Sequence, residues 1–210
     1  NAEIFRTGVN VDEISRLNPS IPRDQKPNEK KVIFLPRYIQ PIYQTELQLE
    51  ALSALPEAQK EKLKLVLIKG KRTDKAYLKL IDKKLENLGF EHQIIDSLTQ
   101  HEMWSMFKHS ALAIMTPKTD GTPNSALEAM AAKCPLILGS FKYDEDLFSE
   151  QFCHRMNIES VKELTQLMTS ALDNYSNDKL ELAFENVAKN GNRQVEMGRI
   201  KKLYLSITQS

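Results

Sequence analysis

Two carboxylates bracket a predicted helix start in the second half of the chain. Asp120 comes two residues before Thr122, the expected N-cap, and the proline that follows Thr122 favours a helix beginning at that position. Glu128 shares a face of this helix with Asn124 and Ser125, one turn earlier. The free N–H groups and positive dipole end of a helix start attract anions, while carboxylates accept hydrogen bonds from hydroxyl groups. The segment is therefore suited to hold a phosphate beside a sugar.

The same stretch resembles the family 4, or group 1, glycosyltransferases. Their donor-binding domain carries an acid, seven residues and a glutamate, usually within Glu-Gly-x-Pro-x-x-x-x-Glu-Ala-Met-Ala. Residues 120–131 read Asp-Gly-Thr-Pro-Asn-Ser-Ala-Leu-Glu-Ala-Met-Ala, so the one change in the motif is aspartate for the first glutamate. The resemblance implies that Asp120 lies by the donor sugar and that Glu128 binds the ribose of the nucleotide. The other donor-binding residues implied here are Gly121, Thr122, Pro123, Asn124 and Ser125.

Arg37 is a second candidate, because it follows the first apolar run at the edge where ligands of open parallel sheets bind. A guanidinium can hold a diphosphate with two parallel hydrogen bonds, although an arginine at a strand end is often only a surface ion-pair residue. The family has Gly-Arg at this point, and Pro36 replaces the glycine. The family usually has a lysine five residues after this arginine, and Ile42 replaces that lysine here. Lys69 or Lys71 would then have to help meet the phosphate charge, or the donor is held differently.

The remaining candidates follow the second and third predicted strands. Gly70 lies in a basic turn that is not a phosphate loop, because the glycine required five positions earlier is absent. The family nevertheless places a glycine at this strand end near the nucleotide, and pairs the base edge with backbone groups around Ser97 and Leu98. Thr99 and Glu102 have the spacing of a capping box, which explains both residues without a ligand.

Short apolar runs alternate with helical patterns from residue 32 onward. This pattern predicts a Rossmann-like parallel sheet with helices on both faces, whose strands are buried on both sides. The strands are predicted at 32–35, 65–68, 92–95, 112–115, 136–138 and near 152–153, and the helices at 44–55, 74–88, 100–109, 123–133, 159–173, 178–188 and 194–207. Apolar residues at helical spacing predict a buried face for the last of these helices.

We expect residues 1–30 to be an interdomain linker, residues 31–190 the nucleotide-sugar donor-binding domain, and residues 191–210 a helix that crosses to an acceptor domain. Because the sequence starts without methionine, we interpret it as part of a longer protein. The resemblance implies that the missing part is an N-terminal acceptor domain.

The composition excludes other classes of function. The chain has 29 basic and 28 acidic residues, a balance that favours neither nucleic acid nor an acidic membrane as a partner. No apolar run approaches the roughly 20 residues of a membrane span. The two cysteines and four histidines lack the spacing of metal ligands, and we expect a reduced, cytoplasmic setting. The missing domain could still hold the protein at the inner membrane.

The resemblance implies a retaining hexosyltransferase that moves a sugar from a nucleotide-diphosphate sugar to a glycan or lipid-linked acceptor, as in polysaccharide synthesis. It implies no metal or other cofactor, and it makes Asp120 and Arg37 the catalytic residues. We expect the isolated chain to bind donor without transferring sugar. One alternative is a non-catalytic relative that acts as a partner subunit, which the missing lysine and the shortened acid favour. A sugar-nucleotide epimerase is less favoured because its acid and base cannot be located.

Overall fold

A computed structural model describes residues 5–17, 30–71, 73–140, 145–157 and 159–208. The strands are β1 (Lys31–Tyr38), β2 (Leu63–Ile68), β3 (Glu91–Ile95), β4 (Leu112–Met115), β5 (Leu136–Gly139) and β6 (His154–Met156). The helices are α1 (Val11–Arg16), α2 (Thr45–Ser53), α3 (Glu57–Lys60), α4 (Lys75–Glu86), α5 (Gln100–His109), α6 (Asn124–Ala131), α7 (Glu145–Phe148), α8 (Val161–Asp173), α9 (Asn177–Asn190) and α10 (Arg193–Thr208), with a 3₁₀ helix at Pro41–Tyr43. Residues 1–4 and 18–29 of the predicted linker lie outside the described residues.

The strands form one parallel sheet in the order β3-β2-β1-β4-β5-β6. A hydrophobic core lies on each face of the sheet. Alternate residues of β1 pack into one core or the other, since successive side chains of a strand point to opposite faces. Phe34 packs with α5, α6 and α9 on one face, while Ile33 and Leu35 pack with α2, α4 and α8 on the other. The predicted Rossmann-like α/β fold, with helices on both faces of a parallel sheet, is confirmed.

Burial at the sheet edges differs from the prediction. Strand β3 has a single neighbour, and its first three residues, Glu91, His92 and Gln93, are exposed. The prediction of burial on both faces is therefore wrong for β3. The last strand, β6, begins at His154 rather than at the predicted 152–153, and Cys153 is buried directly before it.

Helix α6 begins one residue later than predicted. Pro123 is the residue before the first helical turn, with extended backbone angles (φ −74°, ψ 93°), and its carbonyl accepts from the N–H of Ala126 at 2.9 Å. The N-cap position therefore falls on Pro123 and not on Thr122. Proline fixes φ but leaves ψ free, so it fits the position that precedes a helix as well as the first helical position.

The predicted buried face of the last helix is wrong. Leu203, Tyr204 and Ile207 of α10 are exposed, and within this helix the structure buries Glu196 alone. Burial needs a partner surface as well as an apolar stripe, and the described residues supply that surface only to the first turn of α10. Each helix in the described part of the chain is too short or too polar to cross a lipid bilayer.

The first described residues pack against the start of α10. The Val9 N–H donates to the Gly191 carbonyl at 2.8 Å, and the Arg193 N–H donates to the Val9 carbonyl at 3.0 Å. Glu196 accepts from the Arg6 N–H at 2.9 Å and lies 2.9 Å from the Arg199 guanidinium. These contacts join both ends of the described chain beside α6.

Gly8 is required for this contact, and its replacement is expected to be costly. Its φ is +60°, and an added Cβ would lie 2.6 Å from the backbone nitrogen of Arg193. We expect Gly8→Ala to lower the free energy of unfolding by about 2 kcal/mol, because a left-handed residue and a backbone clash are both strained. Gly198→Ala, in an open position inside α10, should raise that free energy by about 0.5–1 kcal/mol. Urea denaturation of both variants measures the difference, and equal shifts would contradict the prediction.

Candidate functional site

The order of the strands places a crevice between β1 and β4. The chain proceeds from β1 to β2 on one side, and then returns to add β4 on the other side of β1. At such a reversal the connections leave the sheet in opposite directions, and the carboxyl ends of the two strands border an open ligand-binding crevice. Arg37 lies at the end of β1, and the segment that carries Asp120 links β4 to α6. The topology therefore brings these two candidates to the same place.

The end of β1 is irregular in a way that suits its sequence. The pairing with β2 shifts register between Leu35 and Tyr38, so Pro36 and Arg37 lie in a bulge. Proline has no N–H to offer a neighbouring strand, and a bulge is one of the few places where a central strand accepts it. A bulge also redirects the side chain that it carries. The Arg37 side chain consequently leaves the strand inside the crevice, 21% exposed.

The Arg37 guanidinium has three partners there. Its Nη2 lies 2.9 Å from Oδ2 of Asp120 and donates to the Tyr43 hydroxyl at 3.0 Å. Its Nη1 donates to the Ser125 hydroxyl at 3.1 Å. The guanidinium carbon also lies 4.4 Å from the centre of the Tyr43 ring, in a cation–π contact. Arg37, Asp120 and Ser125, predicted separately, thus form one cluster, and Tyr43 is a member that the sequence reasoning missed.

Asp120 has a neighbour at each of its carboxylate oxygens. Its Oδ1 accepts from the N–H of Gly121 at 2.9 Å, and its buried Oδ2 lies 2.9 Å from Nη2 of Arg37. The N–H bonds of Arg37 are not directed at Oδ2, so this contact is an ion pair rather than a hydrogen bond. The ion pair joins the end of β1 to the segment that leads into α6.

Glu128 has a different neighbour. It is 9% exposed, because α6 is buried around its whole circumference from Ala126 to Ala131. Its Oε1 accepts from Nε2 of Gln100, the first residue of α5, at 3.3 Å. The second carboxylate thus meets the start of α5, and the sequence carried no signal for Gln100 beyond its position after a cap.

The loop before α5 is held by the predicted capping box. The Thr99 hydroxyl accepts from the Glu102 N–H at 3.3 Å, and Oε2 of Glu102 accepts from the Thr99 N–H at 2.7 Å. The Thr99 N–H, and secondly its hydroxyl, lower the pKa of Glu102 below its usual value. The capping-box prediction is confirmed. Just before it, Ser97 is exposed and Leu98 is half-buried against the core.

Gly70 follows β2 at the carboxyl ends of the strands, where the crevice also lies. Its φ is +83°, and an added Cβ would lie 2.6 Å from the ring of Tyr38, the last residue of β1. The Gly70 N–H donates to the Asp96 carbonyl at 3.0 Å, and the Lys69 ammonium lies 3.3 Å from the Asp96 carboxylate. Lys69 is thus paired with Asp96 at this edge of the sheet.

The residues at the start of α6 differ in accessibility. Gly121 and Thr122 are exposed, Pro123 is buried, and Asn124 is exposed at the first helical position. The Thr7 hydroxyl donates to Oδ1 of Asn124 at 3.1 Å. The first N–H groups of a helix have no partner inside the helix, so this end can bind an anion.

The cluster is an open crevice, and two other surface pockets in the described part of the chain lie elsewhere. One, of about 430 Å³, lies between α2 and α4, where Lys84 and Glu50 are already paired at 2.9 Å. The other, of about 330 Å³, is lined by Gln44, Tyr77 and Lys118 among others. Volume alone is a weaker indicator than convergent polar groups, so the crevice is the better candidate. In the part of the chain that the structure describes, no three His, Cys, Asp or Glu side chains form a metal-binding group.

Both cysteines are buried and unpaired with each other. Burial raises the pKa of the Cys153 thiol to about 12. A thiol with that pKa carries almost no thiolate at neutral pH, so Cys153 is an inert core residue.

Comparison with known proteins finds a matching family and similar solved structures. A family model described as glycosyl transferases group 1 matches residues 19–191. Among solved structures, a glycosyltransferase from Rickettsia africae has a TM-score of 0.82 at 14% identity, covering 99% of this chain and 57% of that one. Sucrose-phosphate synthase from Thermosynechococcus elongatus has a TM-score of 0.78 at 16% identity, with 99% and 53% covered.

A third structure contains a ligand. HepE from Anabaena in complex with UDP-glucose has a TM-score of 0.77 at 12% identity, covering 97% of this chain and 57% of that one. Identities this low show a shared fold alone, and the chain spans about half the length of these structures. No curated protein matches the sequence significantly.

Proposed function

Because this chain belongs to the group 1 glycosyl transferases, we propose that it is the donor-binding half of a retaining hexosyltransferase. The donor is a nucleotide-diphosphate sugar, and the acceptor is a glycan or a lipid-linked saccharide bound by a second lobe. The reaction needs no metal or other cofactor. Under this proposal the chain by itself binds donor and transfers nothing.

The Arg37–Asp120 pair is the observation that carries the proposal. Its two side chains are 21% and 18% exposed, and they lie at the strand-order reversal where parallel sheets bind nucleotides. The positive member suits a diphosphate, and the carboxylate of the negative member can accept a hydrogen bond from a sugar hydroxyl. The pair therefore matches the two chemically different ends of a diphospho-sugar.

Charge explains how the cluster would act in the reaction. Negative charge grows on the diphosphate as its bond to the sugar breaks, and donors fixed in advance stabilise that charge without reorganising. Arg37 and the N–H groups at the start of α6 are placed to do so, with Ser125 holding one side of the guanidinium. Asp120 orients the sugar through its carboxylate. Glu128 takes the ribose hydroxyls, with Gln100 beside it as a further polar contact.

A non-catalytic relative is the second candidate, and two observations favour it. Ile42 stands where the family usually has a second cation, and Asp120 already neutralises Arg37 in the free chain. A protein of this kind would keep the fold as a partner subunit and bind donor weakly or not at all.

Calorimetric titration of the chain with UDP, GDP and ADP tests the proposal. We expect heat from at least one of them, with a stoichiometry of one, and a weaker response to the matching nucleoside, which lacks the diphosphate. Circular dichroism on the same sample shows that it is folded. A folded sample that gives no heat with all three nucleotides would sink the donor-binding proposal.

A further inference from the structure

Tyr43 holds the Arg37 side chain by two kinds of contact. The Tyr43 hydroxyl accepts from Nη2 at 3.0 Å, and the guanidinium carbon lies 4.4 Å from the ring centre. A planar guanidinium on an aromatic face loses much of its rotational freedom. Because Ser125 accepts from the other terminal nitrogen, the plane of the guanidinium is fixed from two sides.

The backbone around Tyr43 is itself fixed to the loop that follows β4. The Tyr43 carbonyl accepts from the hydroxyl of Thr116 at 3.3 Å, and that hydroxyl accepts from Nε2 of Gln48 at 2.9 Å. Thr116 and Gln48 are both buried, at 0% and 2% exposure. The carbonyl of Ile42, the residue before Tyr43, accepts from the Lys118 N–H at 2.8 Å. The segment that carries Tyr43 is thus joined to the segment that leads to Asp120.

These contacts leave part of the guanidinium for a ligand, and Nη2 also pairs with Oδ2 of Asp120 at 2.9 Å. Arginine has five N–H donors, and two of them are used in directed hydrogen bonds, to Tyr43 and Ser125. A diphosphate can therefore bind without displacing either contact. An arginine that is already held also loses less side-chain entropy when the anion arrives.

We propose that Tyr43 is a positioning residue that holds Arg37 ready for the diphosphate of the donor. The inference rests on the proposed function. The family usually has a second cation where this chain has Ile42, and the neutral Tyr43 beside it takes the place of that cation by holding Arg37. Tyr43 adds no charge. Its contribution is to keep the Arg37 guanidinium in a fixed orientation.

The test compares Tyr43→Leu and Tyr43→Phe with the unsubstituted chain, using whichever of UDP, GDP or ADP binds and its matching nucleoside. We expect Tyr43→Leu to weaken affinity for the diphosphate about 10-fold and Tyr43→Phe, which keeps the ring, about threefold. Affinity for the nucleoside should not change, because it lacks the group that Arg37 binds. Tyr204→Leu, on the exposed face of α10, is the control for loss of a tyrosine and should leave both affinities unchanged.

A second readout needs no ligand. Side-chain N–H signals of Arg37 in nuclear magnetic resonance spectra should show restricted rotation in the unsubstituted chain and in Tyr43→Phe, and free rotation in Tyr43→Leu. Equal loss of nucleoside and diphosphate affinity, unchanged diphosphate affinity, or tighter binding in Tyr43→Leu would each overturn the inference while donor binding stands. If the unsubstituted, folded chain binds no nucleotide, the proposed function fails, and this role of Tyr43 fails with it.

Discussion

Substitution of Asp120 by asparagine should lower the rate of sugar transfer by the full-length protein about 100-fold or more, which is the usual effect of removing one preorganised polar group from a reacting centre. We assign the Asp120 carboxylate to a sugar hydroxyl, and an amide cannot reproduce its charge. Binding of the nucleotide diphosphate alone should be unchanged or tighter, because the variant removes a negative charge 2.9 Å from Arg37. Initial rates and calorimetric affinities, measured on the same variant, separate the two effects.

Asp96→Asn is the matched control for Asp120→Asn. Asp96 lies after β3 at the same edge of the sheet, but its side chain is 87% exposed and its partner is Lys69. The control should leave transfer and nucleotide affinity within about twofold of the unsubstituted protein, because exposed ion pairs contribute little. If Asp120→Asn transfers sugar as fast as this control, Asp120 has no role in the reaction. If the unsubstituted protein transfers nothing, the partner-subunit alternative becomes the better explanation.

Phe34→Ala should reduce the free energy of unfolding by about 4 kcal/mol, the typical cost of emptying a buried aromatic site. The Phe34 ring is 0% exposed in the middle of β1, and it meets the ring of Phe107 edge to face with centres 5.3 Å apart. The variant loses both the buried area and this aromatic pair, which adds about 0.5–1.5 kcal/mol. Chemical denaturation with an unchanged m-value measures the difference.

Leu205→Ala serves as the control for Phe34→Ala. Leu205 is 46% exposed on α10, and its truncation should change the free energy of unfolding by less than about 0.5 kcal/mol. A similar loss in both variants would mean that the face of α10 is covered in solution. A loss below about 2 kcal/mol in Phe34→Ala would show that the core between β1 and α5 collapses around the missing ring.

Local features of the fold could be predicted from the sequence because neighbours along the chain determine them. The apolar runs of β1, β2, β4 and β5 were located correctly, since a continuous apolar segment must be covered on both faces. The capping box of Thr99 and Glu102 was also correct, because both partners belong to the same helix start. The acid motif from residue 120 to residue 131 identified the family in the same way, as a pattern of consecutive residues.

Predictions that depended on an unseen neighbour were less successful. The segment of β3 and the terminal helix have apolar residues at suitable spacing, but β3 lies at the edge of the sheet, and most apolar residues of α10 are exposed. The spacing of apolar residues shows which side of an element can be buried. It does not show whether another element is present to bury it.

The sequence alone determined the chemical groups of the crevice, its acids, its arginine and its helix start, because these are properties of the residues and their immediate neighbours. Only the tertiary structure decided which groups meet. Arg37 and Ser125 are 88 positions apart, and they touch because β4 returns to the side of β1 opposite β2. Tyr43 and Gln100 became visible as neighbours of Arg37 and Glu128 by the same means. Apolar runs of similar length look alike in the sequence, so they do not reveal which strands are neighbours. The packing of the whole chain fixes the strand order, and with it every contact across the crevice.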